Sequence, residues 1–164
     1  MKFSIAALSG LVGVISAAAV PASLPAAFTL VADGGKTVLT DGSHAWVGGD
    51  VTNTTEILIL RSGSNGMVSF TGKDAVPTAF QNLYIVENSV SPVGLTVPHS
   101  AAIPENGSMN KFGVNEDGYF THDGNAYFAI DGYGDAVSKE LYWYGAHSSE
   151  YAACNLWVKE CKGC

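Results

Sequence analysis

"NEDGYFTHDGNAYFAIDGYGD", residues 115–135, sets three Asp-Gly pairs (Asp117-Gly118, Asp123-Gly124, Asp131-Gly132) among Tyr119, Phe120, Tyr127, Phe128 and Tyr133. Read as a site, the acids would gather for metal binding or acid–base catalysis. Read as punctuation, they mark turns. Asp bonds its own backbone and tolerates positive φ, and glycine adopts positive φ freely. Asp-Gly between apolar runs is therefore the strongest short hairpin signal. A calcium loop of EF-hand type needs acids at alternate positions, a central Gly and a closing Glu, and this segment has neither that spacing nor that Glu. It parses as strand, turn, strand, turn, strand, with its acids in solvated turns and no metal site.

Outward from this segment the same pattern recurs. "AFTLV" (27–31), "TVLT" (37–40), "HAWVGG" (44–49), "FQNLYIV" (80–86) and "VGLTV" (93–97) are short β-rich runs closed by Gly, Asn, Asp, Ser or Pro. "EILILRSGSNGMVSF" (56–70) reads as two strands around a Ser-Gly-Ser-Asn-Gly loop. "KFGV", "YFT", "AYFAI", "ELYWY" and "NLWVK" complete the series. "EILIL" (56–60) is apolar at every position after Glu56 and predicts a central strand covered on both faces. In "MVSFT" the alternation predicts Val68 and Phe70 inward, with Met67, Ser69 and Thr71 outward. About ten short strands with turns between them predict an all-β fold: a compact antiparallel β-sandwich or barrel, with a β-trefoil as the alternative.

The chain opens "MKFSIAALSGLVGVISAAAV", with Lys2 ahead of an uncharged apolar run and small residues at Ser16 to Ala19. This predicts a secretory signal peptide over 1–19, leaving one domain over 20–164. The apolar run is shorter than the ~20 residues that a bilayer span needs. Formal charge is -7, and the cations beyond Lys2 are Arg61 and six scattered lysines. Phosphate-backbone binding needs clustered cations, so neither nucleic acid nor a membrane surface is expected as a partner.

Cys154, Cys161 and Cys164 all fall in the last eleven residues. In an exported chain they predict one disulfide and one remaining thiol, with all three pairings open. A redox role for "CKGC" is disfavoured because no helix can follow Cys164 to lower a thiol pKa. The sequons "NTT" at Asn53 and "NGS" at Asn106 are candidate glycosylation sites among turn-forming residues.

Catalytic signatures are weak. No G-x-S-x-G elbow occurs, and Ser64 in "RSGSNG" sits in an ordinary turn. No cofactor motif is present, and the chain is read as non-enzymatic. The aromatic crowding of the last third is the better functional clue, since exposed Tyr or Trp can stack on sugar rings. Tyr142, Trp143 and Tyr144 in "LYWYG" are the candidate binding residues there, with neighbours on opposite faces of the strand.

"FTLVADGG", "HAWVGG", "VPHSAAIPENGS" (97–108), "FGVNEDGYFTHDG" and "YAAC" followed by "NLWVK" together resemble the PhiA-type cell-wall proteins of filamentous ascomycetes. The resemblance implies a secreted protein of the fungal wall, linked to conidiation in some members and to allergenicity in others. It implies no catalytic mechanism. The chain departs from the family in "DVTNTTE" (50–56), which carries a sequon where members carry cysteine. Within "PHSAAIPENG", Pro98 and Pro104 hold extended or turn geometry. His99 and Ser100 are further candidates for ligand contact or for stapling this crossing segment. The expected partner is a wall polysaccharide or wall protein. A lectin-like carbohydrate-binding module or a secreted effector is the alternative, and a hydrolase comes last.

Overall fold

A computed structural model describes residues 23–132 and 134–164. The leader expected over 1–19, and Tyr133, lie outside the described residues.

The fold is all-β and antiparallel. The first half carries β1 (Ala27–Ala32), β2 (Lys36–Thr40), β3 (Ala45–Val47), β4 (Glu56–Ile57), β5 (Leu60–Ser62), β6 (Val68–Phe70) and β7 (Gln81–Val86). Then come β8 (Ser91–Pro92), β9 (Gly94–Leu95), β10 (Gly107–Ser108), β11 (Phe112–Val114) and β12 (Phe120–His122). The chain closes with β13 (Phe128–Asp131), β14 (Lys139–Trp143), β15 (Tyr151–Ala153) and β16 (Leu156–Glu160). The sixteen segments among the described residues exceed the expected ten in large part because β4, β8, β9 and β10 are only two residues long. Such short pieces carry too little alternation to be read from sequence.

One sheet runs β10-β7-β6-β5-β1-β2-β3-β14-β13-β15, with β16 beside β1, β4 beside β2, β8 beside β14 and β9 beside β7. This order has no threefold repeat, so the trefoil alternative falls. The sheet curls back on itself through β8 and β9. The run Ser91–Leu95 pairs with β14 on one side and β7 on the other, and Gly94 bridges to His44 at the start of β3. The result is a sandwich-like wrap around one core. At the closure the Tyr84 ring lies over Gly94, where a methyl group would overlap the phenol. A separate ribbon, β11–β12, caps the core.

Four phenylalanines join the layers. Phe112 and Phe120 stack at 5.3 Å, and Phe120 lies 5.9 Å from Phe28 and 5.7 Å from Phe128. All four are buried. Each full burial of such a ring contributes about 1.5–3 kcal/mol, so this cluster ties the ribbon to the sheet.

The alternation expected in "MVSFT" is present, with Val68 and Phe70 buried and Met67, Ser69 and Thr71 partly exposed. "EILIL" differs from expectation. It breaks into β4, paired with β2, and β5, paired with β1 and β6. Leu58 and Leu60 are buried while Ile57 is exposed, so only one face of the run is covered.

The opening stretch is partly a run of hairpins. Asp123 and Gly124 both have positive φ (48° and 77°), and His122 and Asn125 exchange backbone hydrogen bonds of 2.9 and 3.0 Å across them. The turn ending at Gly118 (φ 86°) is closed by Tyr119 N–H donating to Asn115 Oδ1 at 2.9 Å. The expected third strand does not return to its neighbour, however. β12 pairs with β11, whereas β13 pairs with β14 and β15. Tyr127 packs on Trp143, Tyr144 and His147, which draws the chain across to the main sheet after one bridge. The third Asp-Gly closes no tight hairpin: Gly132 lies against Ala152 at the end of β13.

Candidate functional site

A cavity of about 220 Å³ opens where the β12 turn meets the end of β14. Three aromatic residues line it, Tyr127, Trp143 and Tyr144, together with the buried His122. Glu87, Asn88, Lys111, Asp123 and Asn125 complete the wall with hydrogen-bonding groups. Four other grooves are larger, at about 470 to 480 Å³, but none is lined by more than one aromatic ring.

Backbone conformation also singles out this place. Seven described non-glycine residues have positive φ: Asn65, Asn88, His99, Asn106, Lys111, Asp123 and Tyr144. Four of these line the cavity. Asn and Asp visit the left-handed region readily, but Lys111 (φ 61°) and Tyr144 (φ 62°) do so at a cost. Such strain gathers where the surrounding structure fixes functional side chains.

Tyr144 shows what the strain achieves. Trp143 points into the core and is only 4% exposed, and Tyr142 lies on the other face of β14. Strict alternation would send Tyr144 out beside Tyr142. The left-handed turn at Tyr144 ends the strand instead, and its ring stacks on His147 at 4.1 Å and meets Tyr127 edge-on at 6.0 Å. The candidate trio therefore divides, with Trp143 and Tyr144 at the cavity and Tyr142 outside it. Tyr142 donates its hydroxyl to Glu140 Oε2 at 2.8 Å and packs against Tyr151 at 4.7 Å. Burial and the Glu140 carboxylate push its phenol up to about 12.

His122 forms the floor. Its Nε2 lies 2.9 Å from Ser108 Oγ and 3.9 Å from Glu87 Oε1, and its ring meets Phe112 and Trp143 edge-on, each at 5.3 Å. Burial holds its pKa below the usual 6.5, against the opposing pull of the Glu87 and Asp123 carboxylates. The imidazole is thus neutral at neutral pH. The Ser108–His122 pair has the spacing of a nucleophile and its base. Ser108 is itself buried, its one hydroxyl proton is directed to Asn110 Oδ1 at 3.2 Å rather than to the imidazole, and it is not among the lining residues. The pair seals the wall rather than presenting a hydroxyl.

Lys111 and Asp123 sit at the mouth as an exposed pair, Nζ to Oδ2 at 3.5 Å. Glu87 lines the cavity with its Oε1 3.9 Å from the neutral His122 ring. Among the described residues no group of three or more His, Cys, Asp or Glu is placed to hold a metal ion.

His99 and Ser100 lie outside all five cavities. They form an exposed turn in which Ala102 N–H donates to Ser100 Oγ at 3.1 Å and His99 adopts φ 62°. Cys161 and Cys164 are disulfide-bonded, and Cys154 is a buried thiol pushed up to about 11 by that burial. Asn53 and Asn106 are both exposed.

Sequence reasoning missed Tyr127, His122, Asp123 and Asn125 as site residues, although "THDGNAY" holds all four. A two-residue turn with an imidazole just before it and a phenol two residues past Asn125 was the available signal. For Glu87, Asn88 and Lys111 no local signal existed, because they come from distant segments. Comparisons with family profiles, curated proteins and solved structures return no match.

Proposed function

We propose that the chain is a secreted, non-enzymatic protein of the fungal cell wall that holds one sugar unit of a wall polysaccharide in the Tyr127–Trp143–Tyr144 cavity. The observation that carries this proposal is the composition of the cavity, three aromatic side chains beside Glu87, Asn88, Asp123 and Asn125. A pyranose offers an apolar C–H face for an aromatic ring and hydroxyls for amides and carboxylates. A cavity of about 220 Å³ suits one such ring rather than a long chain. Export is supported by the leader pattern at 1–19, and the wall by the PhiA-type motifs around "VPHSAAIPENGS".

The test is retention of the mature protein on insoluble chitin, β-glucan and whole wall fractions, with salt and free-sugar competition. Retention should be released by free sugar and only weakly by salt. Tyr127→Ala, which removes one stacking face, and Asn88→Gly, which removes an amide while keeping positive φ, should each weaken it roughly tenfold. Retention by whole walls alone, indifferent to sugar and to both variants, would point to a wall protein as partner and sink the cavity as the site.

A further inference from the structure

We infer that Asn106 carries an N-linked glycan whose first sugars stand at the rim of the Tyr127–Trp143–Tyr144 cavity and restrict entry to it. The restriction rests on the cavity being the sugar site proposed above; the modification itself does not.

Three observations converge on this position. Asn106 is exposed at a turn that Gly107 N–H closes onto Pro104 C=O at 2.9 Å, and its φ of 59° is one that Asn accepts. Its carbonyl receives the Glu87 N–H at 2.9 Å, one step beyond the pairs Gly107↔Val86 and Ser108↔Ile85. Glu87 and its neighbour Asn88 both line the cavity. Antiparallel neighbours are only about 5 Å apart, which is the width of a sugar ring. On this spacing the first sugar on Asn106 would stand next to the Glu87 end of the cavity.

The third observation sets the order of events. The sequon hydroxyl is Ser108 Oγ, and in the folded chain it is buried against His122 Nε2 at 2.9 Å. A transferase that reads this hydroxyl must act before β10 docks on β7. In that step Asn106 Nδ2 gives up a proton and bonds the anomeric carbon of the sugar, and a lipid-linked diphosphate leaves. Docking then draws Ser108 inward and leaves the modified Asn106 at the mouth.

Asn53 supplies the control. It is exposed beside Glu56, Lys73 and Asp74 in a different groove, and the Thr55 hydroxyl of its sequon donates to Asp50 C=O at 2.9 Å.

The experiment uses the full chain secreted from a glycosylating host. Tryptic cleavage after Lys73 and Lys111 isolates Asn106 from Asn53, and mass spectrometry reads occupancy. Tryptophan fluorescence then follows titration with soluble chitin and β-glucan oligosaccharides. Asn106 should be occupied. Enzymatic removal of the glycan, or Asn106→Gly, should tighten sugar binding by roughly tenfold, and Asn53→Gln should leave it unchanged. An unmodified Asn106, or equal binding with and without its glycan, overturns the inference while leaving the sugar site standing. If the deglycosylated protein binds none of the sugars, the sugar site fails, and the claim of restricted entry fails with it.

Discussion

Trp143 was a candidate platform, but its burial makes it a wall. It touches Phe128 at 5.0 Å and His122 at 5.3 Å, so Trp143→Ala should cost about 3–5 kcal/mol in urea unfolding. Loss of binding in that variant would say nothing about stacking, and Tyr127 is the residue to test. Asp123→Asn should behave in the opposite way. Its pair with Lys111 is exposed on both sides, and Asn tolerates the same left-handed φ, so unfolding should move by less than about 0.5 kcal/mol. His122 carries the pH dependence. Its folded pKa is lowered, chiefly by burial, so below the ordinary 6.5 the unfolded chain binds more protons than the folded one. Its contribution is therefore complete above 6.5, falls as the pH drops toward the folded value, and then levels off. Urea titrations between pH 8 and 5 should show this decline, and His122→Gln should flatten it in that window.

Strands and turns respond to different forces. The His122–Asn125 turn follows local rules alone, since Asp and Gly supply both positive φ values. What its second arm pairs with does not. "AYFAI" leaves β12 because Tyr127 and Phe128 find aromatic partners on β14, and burial outweighs the few hydrogen bonds of a longer hairpin. Closure of the sheet at β9 is equally non-local. Gly94→Ala would drive a methyl group into the Tyr84 ring, and such overpacking costs about 1–3 kcal/mol. Thermal unfolding should fall accordingly, and Tyr84→Leu should recover part of the loss in the double variant.

For the molecule as a whole, stability comes from one core rather than from its covalent link. The Cys161–Cys164 disulfide spans a sequence separation of three, beyond the end of β16. Loop entropy caps its contribution at about 2 kcal/mol, and the segment it closes carries little of the core. Reduction under native conditions should therefore shift the melting temperature only slightly. Cys154 should resist alkylation until the chain unfolds, because burial both covers the thiol and raises its pKa.

Alternation and turn chemistry determined the all-β class, the inward set Val68 and Phe70, and the turns at Gly118 and Asp123-Gly124, because each is decided within a few residues. Strand partners were another matter. Sequence could not tell that "EILIL" would split between two neighbours, or that β13 would abandon β12, since both outcomes depend on which distant side chains offer a better packed surface. The cavity lies at the far end of that scale. Its lining residues come from 87–88, 111, 122–127 and 143–144, and a left-handed Tyr144 overrides the alternation that would have placed it outside. The residue types were legible, but their convergence was not. Curling of the sheet brings these segments together, and only the burial of the whole core makes that curl favourable.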